Sequence, residues 1–366
     1  MKIVHLLLNG QLGGIENLTY DIALNSSDKH IVYFIFNGGP VSEKMIAAKI
    51  QVEIAHTPKY HWKKAINSFV QFCLREKVNV VVNHFEAPVA WAHALAIKRK
   101  CNVVLLGYMH WDVRNIKRKW KGKVITNPVN KIAYRRCDRV IAISQFVKNT
   151  AMESFGLSPK DVDVIYNGVD VLRFAYSNTS KKEEPMKLLF VGRLIRDKGV
   201  HVLLAAISQL PVHIKVHTTI VGDGPEYEAL VQMARELDVR EKVTFLGKRT
   251  DIPELLHETD FFVHPAVWQE GFGITLIEAM ACGKPCIVSN GGAVKEIIDP
   301  KSGILFGRDS VSELVSAVTD AHEIWGTDKY TLMAQAARKS SERFAIGHTI
   351  TKLEETYSEL YKKIYT

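Results

Sequence analysis

Two glutamates are separated by seven residues in "EGFGITLIEAM" (270–280), Glu270 before a Gly-Phe-Gly turn and Glu278 within the apolar run after it. Two carboxylates could act as an acid and a base, or could grip hydroxyls at two points of one ligand. Gly271, Phe272 and Gly273, followed by Ile274 and Thr275, read as a helix start whose free amides receive an anion. A helix rises ~1.5 Å per residue, so Glu278 falls some distance from Glu270 and a ligand touching both is extended. Arg193 and Lys198 in "VGRLIRDKGV" (191–200) supply a guanidinium fork and a point charge, a pair suited to a diphosphate. "IVGDGPEYEAL" (220–230), with Gly222, is a further strand-turn-helix. His110 closes an apolar strand in "GYMHWD" (107–112), where an imidazole can donate or accept a hydrogen bond. In "NGQLGGIENL" (9–18), Gly13 and Gly14 let backbone approach a ligand at a helix start. A phosphate fits there, although the stretch is neither G-x-G-x-x-G nor a P-loop, and a tight turn without ligand is the alternative.

These loops need elements to hold them. Short β-branched runs alternate with helical patterns: "KIVHLLL", "HIVYFIF", "VNVVVNH", "NVVLLGY", "RVIAIS" and "VDVIYNG" in the first half, then "KLLFVG", "HIKVHTTIVG", "KVTFLG", "DFFVHP", "PCIVSN" and "SGILFG". Such alternation predicts mostly parallel sheets covered by helices. The polar stretch "SNTSKKEEP" (177–185) reads as a linker, and the chain beyond about residue 310 reads as helical, ending in the amphipathic "ITKLEETYSELYKKI". Two α/β domains follow: 1–170, a linker at 171–186, and 187–345, with the helix 346–366 expected to cross back to the first domain. Ligands of open parallel sheets bind beyond the C-terminal strand ends, so the loops there are where a site is expected.

At 366 residues, 47% hydrophobic and 24% charged, the composition is that of a globular protein large enough for two domains. Its longest apolar runs fall short of the ~18–20 residues of a membrane span. The N-terminus lacks a cleavage site and runs into a glycine turn, so a cytoplasmic location is expected. Five widely spaced cysteines suggest reduced thiols, and neither they nor the 14 histidines form a metal-ligand pattern, so no metal is expected. The net charge of +9 is concentrated in residues 1–170, where 24 Lys and Arg face 13 Asp and Glu. "RNIKRKWKGK" (114–123) holds six of those cations around Trp120. Lys117, Arg118, Lys119, Trp120 and Lys121 could meet anionic lipid, a phosphate-bearing acceptor or nucleic acid; a solvated loop is the simpler reading.

Taken together, these residues resemble the retaining glycosyltransferases of the two-Rossmann (GT-B) architecture, in particular glycosyltransferase family 4. The resemblance rests on Glu270 and Glu278 enclosing Gly271, Phe272 and Gly273, and on "GGIE", "NGVD" (167–170), "GRLIRDKG" (192–199), "GDGP" (222–225) and "EAMACGKPCIVSNGGAVKEII". It implies two Rossmann-like domains facing across a cleft, the second binding a nucleotide-sugar. It also implies that Arg193 and Lys198 neutralise the diphosphate, Glu270 binds sugar hydroxyls, Glu278 binds the ribose and His110 contacts the sugar near the reacting carbon. Gly13, Gly14, Gly192, Gly222, Ile274 and Thr275 would lie along the donor, and Lys248 or Arg249 would border the base. The implied reaction is hexose transfer from a nucleotide diphosphate sugar, a UDP-sugar first and GDP-mannose next, to a glycan or lipid-linked acceptor, with no cofactor or metal. A peripheral position on the inner face of the membrane would suit the basic segment. The rival readings are an epimerase or phosphorylase on the same architecture, and a nucleic-acid-binding protein, against which the acidic C-terminal half argues.

Overall fold

The computed structural model describes residues 1–57, 62–112, 114, 120–174 and 183–365, and the chain divides into two compact units. Unit 1 is Met1–Gly168 with Ile346–Thr366; unit 2 is Val169–Ala345.

Unit 1 carries strands β1 (Lys2–Asn9), β2 (Lys29–Asn37), β3 (Gln51–Ile54), β4 (Val80–Asn83), β5 (Val104–Met109), β6 (Arg139–Ala142) and β7 (Val162–Val164). They form one parallel sheet in the order β3-β2-β1-β4-β5-β6-β7. Helices α1 (Gly14–Asn25), α2 (Pro40–Ala47), α3 (Trp62–Glu76), α4 (Pro88–Lys100), α5 (Trp120–Tyr134) and α6 (Gln145–Phe155) make the crossovers. The central strands are buried along their length, as "VVVN" of β4 and "VLLGYM" of β5 show, because helices cover both faces. The edge strand β3, "QVEI", is half-buried throughout and was not among the strands expected from the sequence.

Unit 2 repeats the plan with β8 (Met186–Val191), β9 (Val216–Val221), β10 (Val243–Gly247), β11 (Phe261–His264), β12 (Cys286–Ser289) and β13 (Gly303–Phe306), all parallel, in the order β10-β9-β8-β11-β12-β13. Helices α7 (Val200–Ser208), α8 (Tyr227–Glu236), α9 (Ile252–His257), α10 (Ile274–Ala281), α11 (Val294–Ile297), α12 (Val311–Ile324) and α13 (Asp328–Ser341) flank it. Its core gathers Leu203 and Ile207 of α7, Leu314 and Val318 of α12, Phe261 and Trp325. In each sheet the strand order reverses between its first and fourth strands, β1/β4 and β8/β11, the switch points at which such sheets bind ligands.

The last helix, α14 (Ile346–Tyr365), belongs to unit 1. It buries Thr349, Ile350, Leu353, Thr356, Tyr357 and Leu360, one face at helical spacing, against α1 and β5. Glu354 accepts hydrogen bonds from Ser26 and Ser27 at the end of α1. Half of the expected linker, 175–182, lies outside the described residues; within its first part Phe174 is buried in unit 2. Among the described residues no helix is long and apolar enough to cross a membrane.

Candidate active site

The loop after β8 and the loop after β11 meet at the switch point of unit 2. A turn at Arg196–Lys198 is closed by Gly199, left-handed at φ 73°, and α7 starts there. A Cβ on Gly199 would stand 1.9 Å from the carbonyl oxygen of Pro265, so only glycine lets the two loops press together. One strand over, Gly222 has φ 136° and its added Cβ would lie 1.8 Å from the Gly192 carbonyl oxygen, which ties the β9 loop to the β8 loop.

This close fit brings together side chains 72 residues apart. Lys198 Nζ donates to Glu270 Oε2 at 2.6 Å. His264, at the end of β11, places Nε2 3.4 Å from the same oxygen. Burial alone would push the Glu270 carboxyl up, but the Lys198 ammonium and His264 outweigh it and hold the group well below the usual carboxylate range. Glu270 is thus an ionised acceptor and a weak base. Its backbone is fixed too, since the Glu270 carbonyl accepts from Ala293 N at 2.8 Å.

Beyond Glu270, Gly271 and Phe272 are buried and Phe272 packs edge-on against Phe344, anchoring the turn into α10. Gly273 caps the helix at φ 116° and its carbonyl accepts from Leu276 and Ile277, leaving Ile274 and Thr275 as the first amides of the helix. Glu278, half-buried, is the fifth residue of α10, roughly 6 Å along the axis from Ile274. Arg193 is exposed, and among the described residues no carboxylate pairs with it. Lys248 lies 3.6 Å from Asp223 of the β9 loop, while Arg249 is bound to Asp251; both are exposed.

His110, Gly13 and Gly14 belong to unit 1. His110 follows β5, and its Nε2 lies 3.0 Å from His84 Nδ1, just beyond β4. Burial lowers its pKa to about 3, so the ring is neutral and a poor base near neutral pH. Neighbouring Asp112 is buried and engaged by Arg114. Gly13 caps α1 in extended conformation, and the Glu16 carboxylate folds back over it, 2.3 Å from where a Cβ would stand. Burial raises the pKa of Glu16. That carboxyl occupies the helix start which the sequence offered to a phosphate. Lys117, Arg118 and Lys119 lie outside the described residues, as do the side chains of Trp120 and Lys121 at the start of α5.

The sequence reading missed His264, Glu16 and His84. His264 carried the same signal as His110, a histidine closing an apolar strand, in "DFFVHP".

Residues 12–173 match the family described as Glycosyltransferase Family 4, and residues 174–340 match Glycosyl transferases group 1. The chain belongs to this glycosyltransferase family. Among its relatives, glycogen synthase of Mycobacterium tuberculosis is 30% identical over 62% of this chain, a match spanning 56% of the synthase. N-acetyl-alpha-D-glucosaminyl L-malate synthase of Bacillus anthracis is 26% identical over 74% of this chain and 73% of its own. Among solved structures, Anabaena HepE in complex with UDP superimposes with a TM-score of 0.86 at 25% identity, over 98% of this chain and 100% of that one. The HepE complex with UDP-glucose gives 0.85 at 26% identity. The family 4 chain thus shares its two-Rossmann fold with HepE, a protein solved with UDP and with UDP-glucose.

Proposed function

We propose that this chain is a retaining glycosyltransferase that moves a hexose from a UDP-sugar to a glycan or lipid-linked acceptor in cell-surface polysaccharide or glycolipid synthesis. GDP-mannose is the second donor choice. The carrying observation is the Lys198–Glu270 pair at the β8/β11 switch point, on the two loops that carry exposed Arg193 and lead into α10. The likeness to HepE, solved with UDP-glucose, supports the choice of nucleotide.

Breaking the anomeric C–O bond leaves its electron pair on the departing diphosphate. Arg193, Lys198 and the Ile274 and Thr275 amides are fixed charges and dipoles that would meet that developing charge, so no divalent metal is needed for it. Glu270, ionised, would accept hydrogen bonds from sugar hydroxyls. A carboxylate gripped by a lysine is a weak nucleophile and a weak base. We therefore favour attack from the face the diphosphate leaves, the acceptor hydroxyl passing its proton to the departing phosphate oxygen. A covalent sugar trapped on Glu270 would overturn this.

The deciding experiment is thermal shift and donor hydrolysis across UDP-, GDP- and ADP-sugars, each in EDTA. A UDP-sugar at about 100 times its Kd should add about 2.7 kcal/mol to stability and raise the midpoint by several degrees, EDTA making no difference. A shift with GDP-mannose alone would reverse the donor choice, and no shift with any nucleotide-sugar would sink the reading.

The acceptor end is assigned to the basic segment 117–121. The chain should float with anionic rather than neutral vesicles, and less so once Lys117, Arg118, Lys119 and Lys121 are neutralised. Equal flotation with both vesicle types counts against it.

A further inference from the structure

His110 is the last of four hydrogen-bonded histidines. His110 Nε2 meets His84 Nδ1 at 3.0 Å, His84 Nε2 meets His5 Nδ1 at 2.8 Å, and His5 Nε2 meets His30 Nδ1 at 2.7 Å. The sheet makes this row. Ile3 of β1 faces His30 on β2 and Val80 on β4, and Val80 faces Val104 on β5. Counted from those partners, His30, His5, His84 and His110 advance two residues for each strand crossed. All four rings therefore lie on one face of the sheet in a diagonal file. His5, His84 and His30 are buried, and the far nitrogen, His30 Nε2, is buried without a hydrogen-bond partner.

Three bonds between neutral imidazoles admit only two arrangements of protons, because each ring has one donor and one acceptor. If the protons run one way, every ring carries its hydrogen on Nε2 and His30 buries an unpaired N–H. If they run the other way, every ring carries it on Nδ1 and His30 buries an unpaired lone pair. Orphaned buried N–H groups are the rarer and costlier of the two. No carboxylate rescues an N–H there, since neither Asp28 nor Glu354 comes within hydrogen-bond distance of His30 Nε2. Tyr108 and Tyr357 flank the file as neutral phenols. Burial keeps the rings uncharged, lowering His5 and His84 far below the ordinary histidine value, His30 to about 4 and His110 to about 3.

We propose that His30, His5 and His84 are positioning residues that lock His110 in its Nδ1–H tautomer, so that His110 presents a neutral N–H donor to a substrate oxygen and cannot serve as the base. The inference rests on His110 as a substrate contact. The ligand atom it selects is one with a free lone pair, such as a hydroxyl or phosphate oxygen.

Full-length protein labelled with 15N-histidine tests it without activity. Two-bond 15N–1H spectra at pH 7.5, assigned by single replacements, should show all four rings protonated on Nδ1. His110 protonated on Nε2, or any ring of the file titrating at an ordinary value, overturns the proposal. His84→Leu should release His110 into a tautomer mixture. If the competent tautomer falls to about a fifth, kcat falls about fivefold. His84→Asn, which can still donate to His110 Nε2, should restore both tautomer and rate. A His84→Leu protein whose His110 keeps its Nδ1 proton refutes the lock, and should that variant not fold, the parent spectrum decides. Silent enzymology with the expected spectrum would instead fault the substrate contact.

Discussion

Lys198→Ala is expected to transfer sugar about 10²–10³-fold more slowly than the parent, the loss seen when one preorganised stabiliser of a developing anion is removed. The fall should be in kcat, because the charge on the diphosphate grows as the bond breaks. Glu270→Ala should cost a similar factor by removing the sugar-hydroxyl acceptor and freeing the ammonium. The double variant should lose much less than the product of the two, since the residues share one hydrogen bond. Lys198→Ala also removes a linkage. The depressed Glu270 carboxyl gives stability that is present above the ordinary carboxylate range and lost as pH falls through its lowered value. In the variant, burial acts with one opponent fewer and that acid dependence shrinks. Steady-state kinetics on the three proteins settle the matter, and a fully active Lys198→Ala enzyme would break the site assignment.

Unit 1 should unfold in mild acid while unit 2 stays folded. The sign follows from the four-histidine file. Their folded pKa values are depressed, so the unfolded chain binds protons first as pH drops. Stability is complete above the ordinary histidine value of ~6.5 and declines below it until the folded rings themselves protonate, His30 at about 4. Each such ring costs about 1.4 kcal/mol per pH unit, and four cost roughly 5 kcal/mol per unit, comparable to the whole stability of an ordinary domain. Unit 2 has no such file among its described residues. Hydrogen exchange read by mass spectrometry between pH 7.5 and 4.5 should show β1, β2, β4 and β5 losing protection near pH 5, before β8 and β11. Protected unit 1 amides at pH 4.5 would refute the neutral file.

The two-sheet plan was legible because strands buried on both faces, such as "FFVH" and "CIVS", read as uninterrupted apolar runs. β3 escaped because an edge strand is half-buried and its polar residues break the run. The candidate donor loops were legible in type, from Arg193, Lys198 and the Gly-Phe-Gly turn. Their partnership was not, because Lys198 and Glu270 become neighbours only once β11 is laid beside β8. The histidine file was hidden for the same reason. Residues 5, 30, 84 and 110 look solitary in one dimension, and only the strand order with its register puts them in line. Glu16 shows the converse limit. A glycine pair at a helix start reads as an anion site, yet a carboxylate two residues on can fill it from within.

The return of α14 to unit 1 changes how the chain must be assembled. Val169 N donates to the Phe344 carbonyl at 2.9 Å, so the exit from unit 1 and the re-entry to it run side by side. Unit 2 is thereby an insertion held between two adjacent threads. On the ribosome, residues 169–345 emerge in full before the last helix of unit 1 is made. Unit 1, although its strands are made first, receives last the helix that packs beside His30, and until then the face which α14 buries is uncovered. The unit whose strands are made first is therefore the one whose chain is completed last.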